Sequence, residues 1–459
     1  MSLRKIDTSM NVEITKLANG LTVVTDPMPQ LESAALGVWV NTGGRNETRP
    51  VMGISHMLEH MAFKGTERRT ARQIAEEIEA VGGFMNAYTS REQTAFHMRT
   101  LKADVPLAID ILADILTHPT FEQAELERER QVVLQEIGQA RDTPDDIVFD
   151  HLQSVAFPDQ PMGWPILGNE DTVSNFGRGD LQTYMGANYR GSSMVFVASG
   201  AVEHARVVGL VRQHFDGLAV GEAQPPQPAL YAGGDMRVAE DLEQVHVTYA
   251  FPGASSTDPD FYVSQVYAAA LGGGMSSRLF QEAREKRGLC YSIYAFGQSF
   301  SDGGIVGVYA GTGETEAAEI SGVIAGEMAA LAANASEQEV ARAKAQMKSG
   351  LLMGLERPAT RAEQIAGQLF TFGRVIPVEE LTARLDAVDA AAVRRFGERV
   401  MNTASPSLAV VGPHNSLEDY DSFTGRFGAD AARQTAQRAS PKLPTGTETS
   451  SVEALAQAE

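Results

Sequence analysis

The chain has 459 residues, 43% hydrophobic and 21% charged, enough for two or three globular domains with sizeable cores. A formal charge of −21 argues against nucleic acid or an anionic membrane as partner and permits attraction of basic peptides. One cysteine, Cys290, excludes an internal disulfide; no apolar run is long enough to span a bilayer; and the first residues lack an apolar signal core, so a cytoplasmic protein is expected.

Residues 11–25 read as two short strands around Asn19-Gly20, and residues 34–41 as a third, broken by Thr42-Gly43-Gly44. A helix follows inside residues 50–66, with Ile54, Met57, Leu58 and Met61 on one side and His56, Glu59 and His60 on the other. Thr70 and Gln73 form a capping box for a second helix, which buries Ile74, Ile78 and Val81 and ends at Gly82-Gly83. Two strands then flank a polar turn near residues 89–92. Asp104 is placed to cap the next helix, which Pro119 stops.

Residues 121–140 form a long acidic helix with Leu126, Val133 and Ile137 as its apolar stripe; Glu129 and Glu136, seven apart, share an edge beside it. Glu122, Glu125 and Glu127 are a solvated face. Residues 181–219 read helix, strand, helix and close a first domain, 1–220. The Pro- and Gly-rich stretch 221–235 is the expected linker. In 236–432 the order begins again: a strand at QVHVTYAF, helices around 259–271 and 276–287, strands near 289–299 and 304–311. Helices at 314–334, 336–354, 360–373, 378–385 and 388–401 follow, then a strand at 407–412. This is an internal duplication, hence an α+β chain of two structurally repeated domains. The tail 433–459 is polar and expected to be disordered.

The chemistry sits in the first half. His56 and His60, at i and i+4, can close on one divalent ion from adjacent helical turns, and Glu59 points at the same spot, placed to take a proton from water. The order H-x-x-E-H is a known zinc-hydrolase variant. A third ligand is needed, and the acidic helix offers Glu136 or Glu129. The second half has no such motif, so one zinc per chain is expected. Gly272-Gly273-Gly274 lacks the Lys-Ser/Thr of a phosphate-binding loop.

HMLEH followed by a Glu-rich helix carrying VVLQE resembles the M16 zinc metallopeptidases, the inverzincins. The length is that of their short two-domain form, similar to the mitochondrial processing peptidase beta subunit and its bacterial relatives. The resemblance spans residues 11–415 and implies two domains, each a mostly antiparallel sheet packed by helices. It implies that His56, His60 and Glu136 bind zinc, that Glu59 is the general base, and that Glu129 supports the site without binding the metal. It implies that the strand around Asn86, Ala87 and Tyr88 pairs with an extended peptide substrate. In SSRLFQEAREKRGLCYSIYAF, Arg284 and Tyr291 match residues that hold the substrate carbonyl and stabilise the oxyanion. Relatives enclose a chamber with four such domains, so a homodimer, or a heterodimer, is implied. The expected activity is a zinc endopeptidase acting on short or unfolded peptides; the alternative is a non-catalytic core or partner subunit of the same fold.

Overall fold

The computed structural model describes residues 11–428; the tail expected to be disordered lies outside the described residues. Strands β1 (Glu13–Lys16), β2 (Thr22–Pro27), β3 (Ser33–Val40), β4 (Phe84–Thr89), β5 (Thr94–Leu101) and β6 (Met194–Gly200) form one sheet in the order β1-β2-β6-β3-β5-β4. Strands β7 (Gly234–Val238), β8 (Val245–Pro252), β9 (Cys290–Ser299), β10 (Gly304–Thr312) and β11 (Ser407–Val411) form the second, in the order β7-β11-β8-β10-β9. Leaving β1 aside, both sheets follow one plan. Each has a single parallel pair, β2 with β6 and β7 with β11, and is otherwise antiparallel. The duplication and the α+β class read from the order of elements are what the chain adopts. Among the described residues no helix is long and apolar enough to cross a membrane.

The β1–β2 turn passes through Gly20 at φ 96°, where a Cβ would stand 2.5 Å from Ser192 Oγ; only glycine fits both the dihedral and the space. On its inner face the first sheet sets Leu36, Val38, Phe96 and Met98 against Ile54, Met57, Leu58 and Met61 of the helix Ile54–Ala62, all fully buried. Burying four such side chains contributes on the order of 1.5–3 kcal/mol each. That burial fixes the helix's rotation, so its polar face turns away from the core.

The central strands are apolar on both faces because both faces are covered. The outer face of the first sheet, through Val24, Trp39, Ala95, Val195 and Val197, packs against Ala362, Ile365 and Ala366 of the helix Pro358–Phe372, which comes from the second half. The second sheet receives the reciprocal gift: Ala250, Ile305, Tyr309, Ala409 and Val411 pack against Val148, Leu152 and Ala156 of the first half's helix Pro144–Ala156. Each half thus covers the other's sheet.

Among the described residues two ion pairs centred on buried arginines join the halves. Asp26 on β2 receives both arms of Arg361, with Nη2 to Oδ1 at 2.7 Å. The Arg45 guanidinium, 2% exposed, donates to Glu92 at 2.5 Å, to both oxygens of Asp302 at 3.0 and 2.8 Å, and to the Gln227 carbonyl at 2.8 Å. Asp26→Ala is expected to lower stability by about 3–5 kcal/mol, because it strands the Arg361 charge in an apolar interface. A denaturant titration measures this; a midpoint within error of wild type would show the pair to be dispensable.

Two local expectations are revised, and one helix, Pro144–Ala156, forms where the sequence reading carries no expectation. The segment expected to be an ordinary helix at 276–287 winds as a π-helix over Phe280–Lys286, a form frequent at functional sites. Asp104 precedes the helix Val105–Thr117 but makes no capping bond. It closes a 3₁₀ turn, Lys102–Asp104, so its backbone (φ −101°, ψ 2°) is not the extended one from which a cap reaches forward.

Candidate metal centre

The helix Ile54–Ala62 and the helix Gln123–Arg141 meet at their polar edges. There His56, His60 and Glu136 each turn one donor atom toward a common point. His56 Nε2 and His60 Nε2 lie 3.3 Å apart, and Glu136 Oε2 stands 3.6 Å from each. Tetrahedral ligands at the usual zinc distances of roughly 2.0–2.1 Å are themselves about 3.4 Å apart, so the triangle has the right size for Zn²⁺. Three protein donors leave a fourth position for water or substrate, the pattern of a catalytic rather than a structural site.

The proton inventory agrees. His60 Nδ1 lies 3.0 Å from Glu129 Oε2, whose partner oxygen accepts from Lys64 Nζ at 2.7 Å. With the His60 proton held on Nδ1, its Nε2 presents a lone pair to the common point. Burial, and then the proximity of His60, push the His56 imidazole down to about 4, so that ring is neutral and able to bind a cation. Burial also acts on His60, but the Glu129 bond and the charges of Glu136, Glu129 and Glu59 prevail and raise it, so a cation binding at Nε2 would displace a proton from that atom while Nδ1 keeps its own. For Glu129, burial is outweighed by His60 and Lys64, which hold it ionised below its ordinary range. The sequence left Glu129 and Glu136 as alternatives for the third donor. Glu136 faces both Nε2 atoms, whereas Glu129 touches the far nitrogen of one ring.

Glu59 lies on the same helix face, outside the donor triangle. Its Oε2 accepts from Thr89 Oγ1 at 2.6 Å, and burial raises its pKa. Thr89 is the last residue of β4, an edge strand of the first sheet, which among the described residues pairs only with β5. An extended peptide added to β4 would therefore run toward Glu59. Asn86, Ala87 and Tyr88 sit on that strand. Tyr88 points to the opposite face from Thr89, its hydroxyl donating to Glu363 at 3.1 Å, so its part in any pairing is through its main chain.

Arg284 and Tyr291 are brought together, but with each other. The Arg284 guanidinium carbon lies 5.4 Å from the Tyr291 ring centre and 4.6 Å from that of Phe280. Tyr291 is 76% exposed on β9, the second sheet's counterpart of β4. Among the described residues no hydrogen bond or ion pair ties either to the metal cluster.

The sequence reading missed three contributors. Thr89 and Lys64 lie inside segments it singled out, at a strand end and one turn beyond His60. Glu47 carries no local signal at all. Its carboxylate, 4% exposed, accepts from the Gly53 and Ser55 N–H groups at 2.7 and 2.8 Å, at the start of the metal helix. Burial pushes it up to about 7, against the pull of those bonds.

Comparison with known proteins settles the lineage. Residues 22–170 match the family model described as Insulinase (Peptidase family M16), and residues 175–347 match Peptidase M16 inactive domain, together more than half of the chain. The chain belongs to the M16 peptidase family. An uncharacterized zinc protease of Rickettsia bellii (strain RML369-C) is 37% identical to this M16 chain over 88% of it and 98% of the relative. A probable mitochondrial-processing peptidase subunit beta of Arabidopsis thaliana is 39% identical over 90% and 80%. In fold, this M16 chain is similar to a protease from Helicobacter pylori, with TM-score 0.80 and 21% identity over 88% of this chain and 99% of that one. It is also similar to a chain of Complex III2 from Candida albicans, with TM-score 0.79 and 23% identity over 90% and 99%.

Proposed function

We propose that this M16 chain is a zinc-dependent endopeptidase, with His56, His60 and Glu136 as the ligands of one zinc per chain. The observation that carries the reading is the convergence of three donor atoms from two helices beside a carboxylate, Glu59, that Thr89 holds by one oxygen. Zinc, when bound, supplies Lewis acidity that polarises a peptide carbonyl and brings water toward ionisation at neutral pH. Glu59 takes the proton from water and hands it to the leaving amine. Thr89 fixes one Glu59 oxygen and leaves the other free for that transfer. β4 aligns the peptide through its main chain at Asn86, Ala87 and Tyr88.

Arg284 and Tyr291 supply donors for the developing oxyanion. The exposure of Tyr291 on the counterpart strand, with Arg284 stacked on its ring, and the lack among the described residues of polar contact between either side chain and their own chain's metal cluster, support a dimer in which they face the partner's zinc. The acidic chain favours basic peptides, and a chamber between two copies would admit short or unfolded ones.

A non-catalytic partner subunit is the second reading, favoured by the Complex III2 chain of the same fold. A complete ligand set with Glu59 beside it weighs for catalysis. An unstructured peptide separates the two: the enzyme cleaves it and stops on chelation, whereas a structural subunit yields no products. The arrangement across the dimer has its own test. Arg284→Ala and Glu59→Gln chains, each inactive alone, should recover a fraction of the wild-type rate when mixed, through the one intact composite site. Failure to recover in verified mixed dimers would remove the partner contribution.

A further inference from the structure

We propose that Glu47 is a positioning residue for the metal centre, acting through the first turn of the Ile54–Ala62 helix to set where His56 stands. This rests on the zinc reading above. The first N–H groups of any helix lack intrahelical partners and are ordinarily served by a Ser, Thr, Asp or Asn at the N-cap. Here the N-cap is Gly53, at φ 91° and with no side chain to offer. The space requires glycine, since a Cβ would stand 2.7 Å from Gly168 Cα and the Leu167 carbonyl oxygen. Glu47 does the capping from six residues upstream: Oε2 accepts the Gly53 N–H at 2.7 Å and Oε1 the Ser55 N–H at 2.8 Å. A carboxylate at this end also opposes the helix dipole.

The two histidines differ in how they are held. The His60 ring is fixed through Nδ1 by Glu129 at 3.0 Å. His56 Nδ1 is buried with no hydrogen-bond partner among the described residues. A ligand imidazole is commonly oriented by the bond its second nitrogen makes; lacking one, His56 takes its place from the backbone turn that carries it. Ser55, the residue before it, is gripped twice, by Glu47 at its N–H and by Tyr184, whose hydroxyl lies 2.7 Å from Ser55 Oγ. The segment bearing Glu47 is itself anchored, with Gly44 N–H donating to the Ser90 carbonyl at 3.1 Å and Arg45 N–H to the Arg91 carbonyl at 2.9 Å. The capping carboxylate therefore has a fixed base from which to hold the turn.

Glu47→Gln keeps the shape but sets an NH₂ group against a backbone N–H, so one of the two bonds is lost. Zinc affinity, measured on folded protein by competition with a chelator, is expected to weaken about 10–100-fold, the range for outer partners of metal ligands. The absorption spectrum of the cobalt-substituted protein is expected to shift as His56 moves. A role in stability alone would lower the melting temperature and leave both readouts at wild type, and that result overturns the proposal. If the Gln variant does not fold, Glu47→Asp decides: it keeps the charge but cannot span both N–H groups. Weakened zinc binding in a folded Asp variant supports the proposal, while wild-type affinity, or failure of both variants to fold, overturns it. Wild-type protein that takes up no zinc would overturn the metal reading itself; zinc bound equally by wild type and Glu47→Gln would overturn this inference alone.

Discussion

Glu59→Gln protein should hold zinc at wild-type stoichiometry and lose roughly 10²- to 10⁴-fold in kcat, the usual worth of a positioned general base. The substitution is nearly isosteric. The amide oxygen can still accept from Thr89 Oγ1, which lies 2.6 Å from the present carboxylate. Glu59 is not among the three converging donors, so the triangle of His56, His60 and Glu136 is left intact. What disappears is the capacity to take a proton. Turnover of a quenched fluorescent peptide at saturating zinc, beside the metal content of the same sample, reads both halves of the expectation. Near-normal turnover would assign the proton transfer to another group; loss of zinc would make Glu59 a ligand.

His60→Ala is expected to empty the metal site at free zinc levels that saturate the wild type. It removes a donor and the orienting contact of Glu129 together, and so should exceed the about 10–100-fold effect of losing an outer partner alone. The fold should persist. The helix is anchored by Ile54, Met57, Leu58 and Met61 on the opposite face, all fully buried, and Glu129 keeps its 2.7 Å pair with Lys64. Zinc per chain and a melting curve on the same preparation separate metal loss from unfolding. A His60→Ala chain that retained stoichiometric zinc would show that the metal binds elsewhere.

The features legible in the sequence are those written in local periodicity. The alternation of Ile54, Met57, Leu58 and Met61 with His56, Glu59 and His60 fixes both faces of one helix, because a 3.6-residue repeat allows only one rotation against a core. The seven-residue step from Glu129 to Glu136 places both on one edge, but it cannot say which reaches the histidines. That depends on how the two helices cross, and the contacts of each carboxylate distinguish them. The repeated order of strands and helices was readable for the same local reason.

The remainder depends on distant contacts. The helix Pro144–Ala156 had a signal in Pro144 at its start and Val148, Leu152 and Ala156 four apart, yet its purpose lies on the other half's sheet. Glu47 stands in a polar loop like any solvated acid until the chain folds it beneath Gly53 and Ser55. Arg284 belongs to an ordinary amphipathic pattern, and nothing in that pattern announces the wider π turn.

The reciprocal covering of the sheets has a historical reading. Helices Pro144–Ala156 and Pro358–Phe372 occupy equivalent places in the two repeats, each after a long helix and before the strand that completes the parallel pair. Separated from its neighbour, either repeat would bare one apolar sheet face and have a stray helix with nowhere to dock. Two identical copies would satisfy each other at once, by a two-fold exchange of that arm. The present polypeptide has the form of such a swapped pair after gene fusion, with the His56, His60 and Glu136 cluster in one copy and no counterpart among the described residues of the other.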